Sequence, residues 1–344
     1  MTTSTPRITV FGATGNQGGA VARSLLRNPS FKVRALTRNP SSAASQSLAA
    51  QGAEIHQANG FSSESMVEAF RGSWGAFVNI NSDDKIGPAH KYVSLQAFKP
   101  EGPTEFDMGK TIVDAAAQAG VRHFIFSTGP DCYKLTGGKI KMNSADMKYR
   151  IEQYARSIDC FETVSFICTA WFLENFLIKE MAPPFGGFPY SPDPEGYLTF
   201  VAPKWGGKEE VPFISISDDF GDIVQGMFLD PVRWNGQVIH GCSDICSLED
   251  VVSDFERLRG RRCRFQPLAS WEEFDTHGIR ELEDPKMMFG FTQNNQGHYF
   301  GPEPSEKDTA GELKLATALA LGWPKEEYKL MTVEEWFRKH FQFQ

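Results

Sequence analysis

Over residues 1–170 the chain alternates short β-branched or aromatic runs with longer stretches whose apolar positions recur every three or four residues. Ile8-Thr9-Val10-Phe11 is a strand-like run that stops at Gly12, and a helical stretch from about Gln17 to Arg27 ends before Pro29. Phe31 to Thr37 reads as a second strand, Pro40 to about Ala50 as a helix, Glu54 to Ala58 as a third strand and Glu64 to Arg71 as a helix. Trp74 to Asn81 is a fourth strand. Thr104 to Ala119 is a helix with Ile112, Val113, Ala116 and Ala117 on its apolar face. Val121 to Ser127, a helix over Ala145 to Ser157, and Phe161 to Cys168 complete the series. Strands that alternate with helices of this length predict a parallel sheet with crossovers, and hence an α/β fold with a doubly wound sheet.

The pattern changes after Trp171. Pro183 to Glu210 is rich in Pro and Gly and reads as loop, with a short strand near Tyr197 to Val201. Phe213 to Leu229 returns to strand then helix, Gly236 to Gly241 is strand-like, and Leu248 to Leu258 is a helix. The tail reads as a loop from Phe289 to Pro304, followed by helices near Glu312–Leu321 and Val333–Phe341. The expected organisation is a nucleotide-binding Rossmann domain over residues 1–170, to which 211–245 returns, and a smaller mixed α/β lobe over 171–344.

The first strand leads directly into Gly12-Ala13-Thr14-Gly15-Asn16-Gln17-Gly18, a GxxGxxG turn that opens a helix. In this context the first glycine permits the tight turn and the second lets the backbone approach a pyrophosphate. The third lets helix pack on strand, and the helix N-terminus faces the anion with free N–H groups. An acid at the end of the second strand would bind a ribose 2′-hydroxyl. Thr37-Arg38-Asn39-Pro40-Ser41-Ser42 has none, and Arg38 can contact a 2′-phosphate and stack on adenine. The expected cofactor is therefore NADP(H).

Composition narrows the remaining classes. Hydrophobic residues make up 41% of the 344, and no apolar run approaches the roughly 18 residues that cross a bilayer. The net charge of −8 argues against a nucleic-acid surface. The N-terminus lacks the charged and apolar blocks of a signal peptide, which makes the cytoplasm the expected location. Six scattered cysteines without a CxxC pair read as reduced thiols, and the histidines show no zinc spacing, so no metal is expected.

The glycine turn, Val33-Arg34-Ala35-Leu36-Thr37-Arg38-Asn39-Pro40 and His123-Phe124-Ile125-Phe126-Ser127 resemble the NmrA-like family of atypical short-chain dehydrogenases. Lys148-Tyr149-Arg150-Ile151-Glu152-Gln153-Tyr154, Phe172-Leu173-Glu174-Asn175, Asp219 to Val224 and Trp234 to Ile239 extend the resemblance over most of the chain. The resemblance implies cofactor contacts from Gly12 to Gly18, from Arg38 and the turn after it, and from Asn59 and Asn81 at later strand ends. It also implies Lys148 at the nicotinamide ribose and Phe172, Glu174 and Asn175 closing over the nicotinamide. Where the family often has an aspartate, this chain has Asn59-Gly60.

A short-chain dehydrogenase commonly uses YxxxK, with tyrosine as proton donor, but Ser144 stands four residues before Lys148. A serine hydroxyl is far too weak an acid to replace a phenol. The related isoflavone and phenylcoumaran benzylic ether reductases also lack that tyrosine, and in them the lysine handles the proton. Lys148 is thus expected either as general acid or base or as a ribose ligand only. Ser127 is a candidate to orient a carbonyl, and Tyr133 to reach the same pocket. His123 is expected as a strand residue, and Trp171, Phe172 and Phe176 as apolar wall. The loops 183–210 and 289–304 are expected to shape the pocket.

The first functional expectation is an NADPH-dependent reductase of a small apolar or aromatic substrate. A rival is an NADP(H)-responsive sensor that acts through a regulatory protein partner without turnover. A non-redox isomerase or dehydratase on the same pocket is a further alternative. Nothing in the pattern fixes the oligomeric state.

Overall fold

The computed structural model of the chain describes residues 5–80, 104–324 and 328–341. The first part runs β1 (Arg7–Phe11), α1 (Asn16–Leu26), β2 (Lys32–Thr37), α2 (Ala43–Ala50), β3 (Glu54–Gln57) and α3 (Ser63–Phe70). It continues with β4 (Gly75–Val78), α4 (Glu105–Gln118), β5 (His123–Thr128), α5 (Cys132–Leu135), α6 (Asn143–Arg156) and β6 (Thr163–Thr169). The second part comprises β7 (Trp171–Phe172), β8 (Leu198–Pro203), β9 (Val211–Ile214), α7 (Gly221–Leu229), β10 (Val238–Gly241) and β11 (Asp244–Cys246). It ends with α8 (Leu248–Arg259), β12 (Cys263–Leu268), α9 (Glu283–Asn294), α10 (Asp308–Ala320) and α11 (Val333–His340).

Seven strands form one parallel sheet in the order β10-β6-β5-β4-β1-β2-β3. The order reverses between β1 and β4, which opens a crevice at their carboxyl ends, the place where doubly wound sheets bind ligands. Alternation along the strands assigns the two faces. Phe77, Ile125 and Ile167 pack with α1, α7 and α10 on one side. Ala76, Val78, Phe124, Phe126 and Phe166 pack with α3, α4 and α6 on the other.

The later segment contributes to both parts of the molecule. Val238–Gly241 adds an edge strand beside β6, while α7 and α10 cover one sheet face. Val211–Ile214 instead joins β7 and β11 in a three-stranded sheet, and β8 pairs in parallel with β12. A core rich in aromatic rings, among them Trp171, Phe176, Phe200, Phe213, Phe255 and Trp336, holds this smaller lobe together.

Two readings from the pattern change. Residues 283–294 form helix α9 where part of the 289–304 loop was expected. Pro285 sits in the first turn of that helix, where a missing N–H costs no intrahelical bond. Strands β11 and β12 and the two-residue β7 also went unrecognised, being short and interrupted by charged residues or proline.

Candidate functional site

A cavity of about 1170 Å³ lies over the carboxyl ends of β1, β4, β5 and β6. At one end are Thr37, Arg38, Gln57 and Asn59, the glycine turn forms the floor, and at the other end stand Lys148, Trp171, Phe172, Phe291 and Tyr299.

The turn is built as a cradle. Gly12 has φ +77°, and a Cβ there would lie 2.7 Å from the Asn79 carbonyl oxygen. A Cβ on Gly18 would lie 2.3 Å from the Gly12 carbonyl oxygen, so the third glycine is required for α1 to pack on the turn. Gly15 differs, since a Cβ there would meet only the Gly12 oxygen at 3.4 Å and otherwise open space in the cavity. Gly15 is the N-cap of α1 and makes no side-chain cap bond, and no acid stands in the first turn. Helix geometry leaves the first-turn amides without intrahelical acceptors and places the positive dipole end there. The cradle thus has the space, donors and field to hold a dinucleotide pyrophosphate. Ala13 and Gly18 lie behind the lining, whereas Gly12, Thr14, Gly15, Asn16 and Gln17 face the cavity.

At the end of β2, Thr37 and Arg38 line the cavity, and Arg38 is exposed. Asn39 and Ser42 do not line it. The Asn39 side-chain oxygen accepts from Ser41, and Ser42 caps α2 by accepting from the Ser45 amide. Asn59 lines the cavity while its side-chain oxygen accepts from the Phe61 amide at 3.1 Å. Asn81 falls outside the described residues; Asn79 is the lining residue at the end of β4.

Lys148 faces the other half of the cavity from α6. Its Nζ donates to Glu105 Oε1 at 2.8 Å and to the Ser144 carbonyl at 3.3 Å. The Lys148 side chain is 14% exposed and that of Glu105 2%. Helix α6 comes this close to α4 because Gly109 carries no side chain, and a Cβ there would strike Ile151 at 2.4 Å. Ser144, in the register of the missing tyrosine, also lines the cavity.

The other candidates separate. Ser127 is buried and donates to Gln17 Oε1 at 2.7 Å, tying β5 to α1. The next residue, Thr128, faces the cavity instead. Tyr133 is 54% exposed on α5 and lies outside the lining, which corrects its expected place in the pocket. Glu174 turns away from the cavity, where its carboxylate accepts from the amides of Ile216 and Ser217 and braces the turn before α7. Phe172 and Asn175 line the cavity, whereas Phe176 belongs to the aromatic core of the smaller lobe. No residue of 183–210 reaches the lining; Asp284, Pro285, Met288 and Phe291 of α9, with Tyr299 after it, close the pocket instead. His123, at the start of β5, packs its ring against Trp74 with centroids 4.3 Å apart and planes tilted by 51°.

Burial pushes the Tyr299 phenol well above its ordinary range and raises the Cys168 thiol, so both keep their protons across the physiological range. Among the described residues no group of three or more His, Cys, Asp or Glu side chains is placed to hold a metal, and no helix is long and apolar enough to cross a membrane.

The model of the NmrA-like family matches residues 4–337. The chain belongs to the NmrA-like family. NmrA-like family domain-containing oxidoreductases of Aspergillus hancockii and Aspergillus flavus are 63% and 61% identical to it. They align over 99% and 97% of this chain and 98% and 97% of their own lengths. Among solved structures, NmrA, a negative transcriptional regulator, in complex with NADP superposes with a TM-score of 0.69 at 22% identity, over 94% of this chain and 97% of that one. An Escherichia coli NADPH-dependent quinone oxidoreductase complexed with NADPH superposes at 0.64 and 17% identity, over 97% of this chain and all of that one. Both likenesses show that this NmrA-like chain shares their fold.

Proposed function

We propose that this NmrA-like protein is a cytoplasmic NADPH-dependent oxidoreductase that acts on a small apolar or aromatic substrate. The observation that carries the reading is the continuity of the cavity, which passes from Arg38 over the bare glycine cradle to an aromatic-walled hollow beside Lys148. A dinucleotide laid from Arg38 over the cradle would bring its nicotinamide to Lys148 and Phe172, and the hollow beyond, lined by Trp171, Asp284 and Tyr299, is left for a substrate. The oxidoreductase names of the relatives and the NADP and NADPH bound to two structural neighbours support the same reading.

In this reading Arg38 pairs with the 2′-phosphate, the first-turn amides of α1 hold the pyrophosphate, and Phe172 and Asn175 close over the nicotinamide. When bound, the reduced nicotinamide supplies the hydride. The Lys148 ammonium holds the ribose hydroxyls, with Glu105 fixing its position and offsetting its charge. Trp171 and Tyr299 line this hollow with apolar surface that would exclude water. Ser144 supplies no usable proton, which leaves the Lys148 Nζ proton as the nearest ionic source at that side of the hollow.

The likeness to a transcriptional regulator complexed with NADP favours a second reading, in which the chain binds NADP(H) and signals through a protein partner. Consumption of NADPH in the presence of neutral and cationic aromatic acceptors separates the two. Turnover supports the oxidoreductase, and tight binding without turnover supports the regulator.

A further inference from the structure

The substrate half of the cavity carries an unbalanced charge. Among the described lining residues of that half, the ionic side chains are Lys148 and Asp284. Lys148 is matched by Glu105 at 2.8 Å. Asp284, in the first turn of α9, is partly buried, and no hydrogen bond or ion pair to its carboxylate occurs among the described residues. The hollow is therefore lined by one carboxylate together with the aromatic residues Trp171, Phe172 and Tyr299. The N-terminal end of α9 supports this carboxylate from one side, and a cation bound in the hollow would meet its open side beside aromatic rings that also attract cations.

A second observation concerns the proton. Reducing a ketone requires a proton for the oxygen, and the register that supplies a phenol in YxxxK enzymes holds Ser144 here. A cationic imine has no such requirement. Its carbon gains the hydride supplied by the bound dinucleotide, the C=N π pair becomes the nitrogen lone pair, and the dinucleotide leaves oxidised. The positive charge passes from substrate to nicotinamide and no proton is consumed. A site with a carboxylate, flat apolar walls and no phenol in that register suits this reaction.

We infer that the substrate is an aromatic iminium ion, or an amine-derived cation of that shape, seated with its nitrogen toward Asp284. This inference rests on the NADPH-dependent reductase reading. Asp284 is then the specificity-determining residue of the pocket, and the stretch from Asp284 to Tyr299 is the part of the smaller lobe that selects the substrate.

The test uses the full chain and its Asp284→Asn variant, nearly isosteric but uncharged, after thermal melting and NADPH titration have shown that both fold and bind alike. Calorimetry on the protein saturated with NADP+ measures binding of N,N-dimethyl-tetrahydroisoquinolinium, a permanent cation that accepts no hydride, beside neutral tetralin. Turnover is measured with N-methyl-dihydroisoquinolinium and with the neutral ketone tetralone. The expected result is that the wild type prefers the cation in both assays. Asp284→Asn then loses about 10-fold or more in affinity for the ammonium ion and in kcat/KM for the iminium, mostly through KM. Equal affinity of wild type and variant for the cation, or preferred turnover of tetralone by the wild type, overturns the inference. A protein that binds NADPH but ignores the cation defeats this inference alone, whereas a wild type that fails to bind NADPH defeats the reductase reading beneath it.

Discussion

Lys148 Nζ and Glu105 Oε1 lie 2.8 Å apart, joining two helices from positions 43 residues apart in the chain. The pair holds a lysine at the cavity wall with little exposure, and it depends on the close approach of α4 and α6 at Gly109. A lysine so placed is oriented before any ligand arrives, which lowers the entropy cost of using it.

Loss of the Lys148 ammonium removes one or two hydrogen bonds to a bound ribose, so Lys148→Ala is expected to weaken NADPH binding by roughly 1–3 kcal/mol. If Lys148 also carries a proton to the substrate, turnover of a neutral acceptor at saturating NADPH falls by a further ~100-fold. Fluorescence titration and single-turnover kinetics separate the two effects. Glu105→Gln keeps the shape but removes the counter-charge, and it is expected to cost about 1–3 kcal/mol of stability by thermal or denaturant unfolding. An unchanged melting curve for Glu105→Gln contradicts the positioning role.

The three glycines of the turn are expected to fail in different ways. Gly15→Val puts its side chain into open cavity, so the apo protein keeps its circular dichroism while NADPH affinity drops by at least ~100-fold. Gly18→Ala drives a methyl group into the Gly12 carbonyl and is expected to cost about 1–3 kcal/mol of stability even without nucleotide. The reverse pattern, a stable Gly18→Ala and a Gly15→Val that still binds NADPH, contradicts the placement of the pyrophosphate on this turn.

Nucleotide preference is expected to rest on Arg38. With no acid at the end of β2 to favour a ribose 2′-hydroxyl, NADPH is expected to bind at least ~10-fold tighter than NADH. Arg38→Ala is expected to lose most of that margin, since a charge-assisted contact contributes about 1.5–3 kcal/mol. Calorimetric titration of both nucleotides against both proteins reads it directly.

The local features of the site are legible in the chain. The strand–glycine–helix turn, Arg38 after the second strand and Lys148 on its helix each announce themselves within a few residues, because the chemistry and the backbone requirement sit together. Glu105, Asp284 and Tyr299 carry no local signature. Asp284 and Tyr299 reach the cavity, and Glu105 reaches Lys148, through packing of α9, the segment after it and α4, and spacing in the chain says nothing about that. Helix α9 holds both Pro285 and Gly290, residues that ordinarily weaken a helix. The proline stands in the first turn, however, and a Cβ at Gly290 would press on Trp271 at 3.0 Å, so both residues suit a helix packed tightly against its neighbours. Ser127 and Tyr133 were reasonable candidates by position, and the side-chain directions separate them. One donates to Gln17 beneath the turn and the other stands in solvent.

On the proposed function the cavity both binds NADPH and uses it. The most direct measurement is single-turnover decay of reduced-nicotinamide absorbance in a preformed complex of the protein with NADPH, mixed in turn with aromatic iminium ions, ketones, enones and quinones, with Gly15→Val as the control. Rapid oxidation of the bound NADPH by at least one aromatic acceptor is expected, with no oxidation above background in Gly15→Val. A wild type that holds NADPH tightly and leaves it reduced in the presence of every acceptor contradicts the account and supports the regulator.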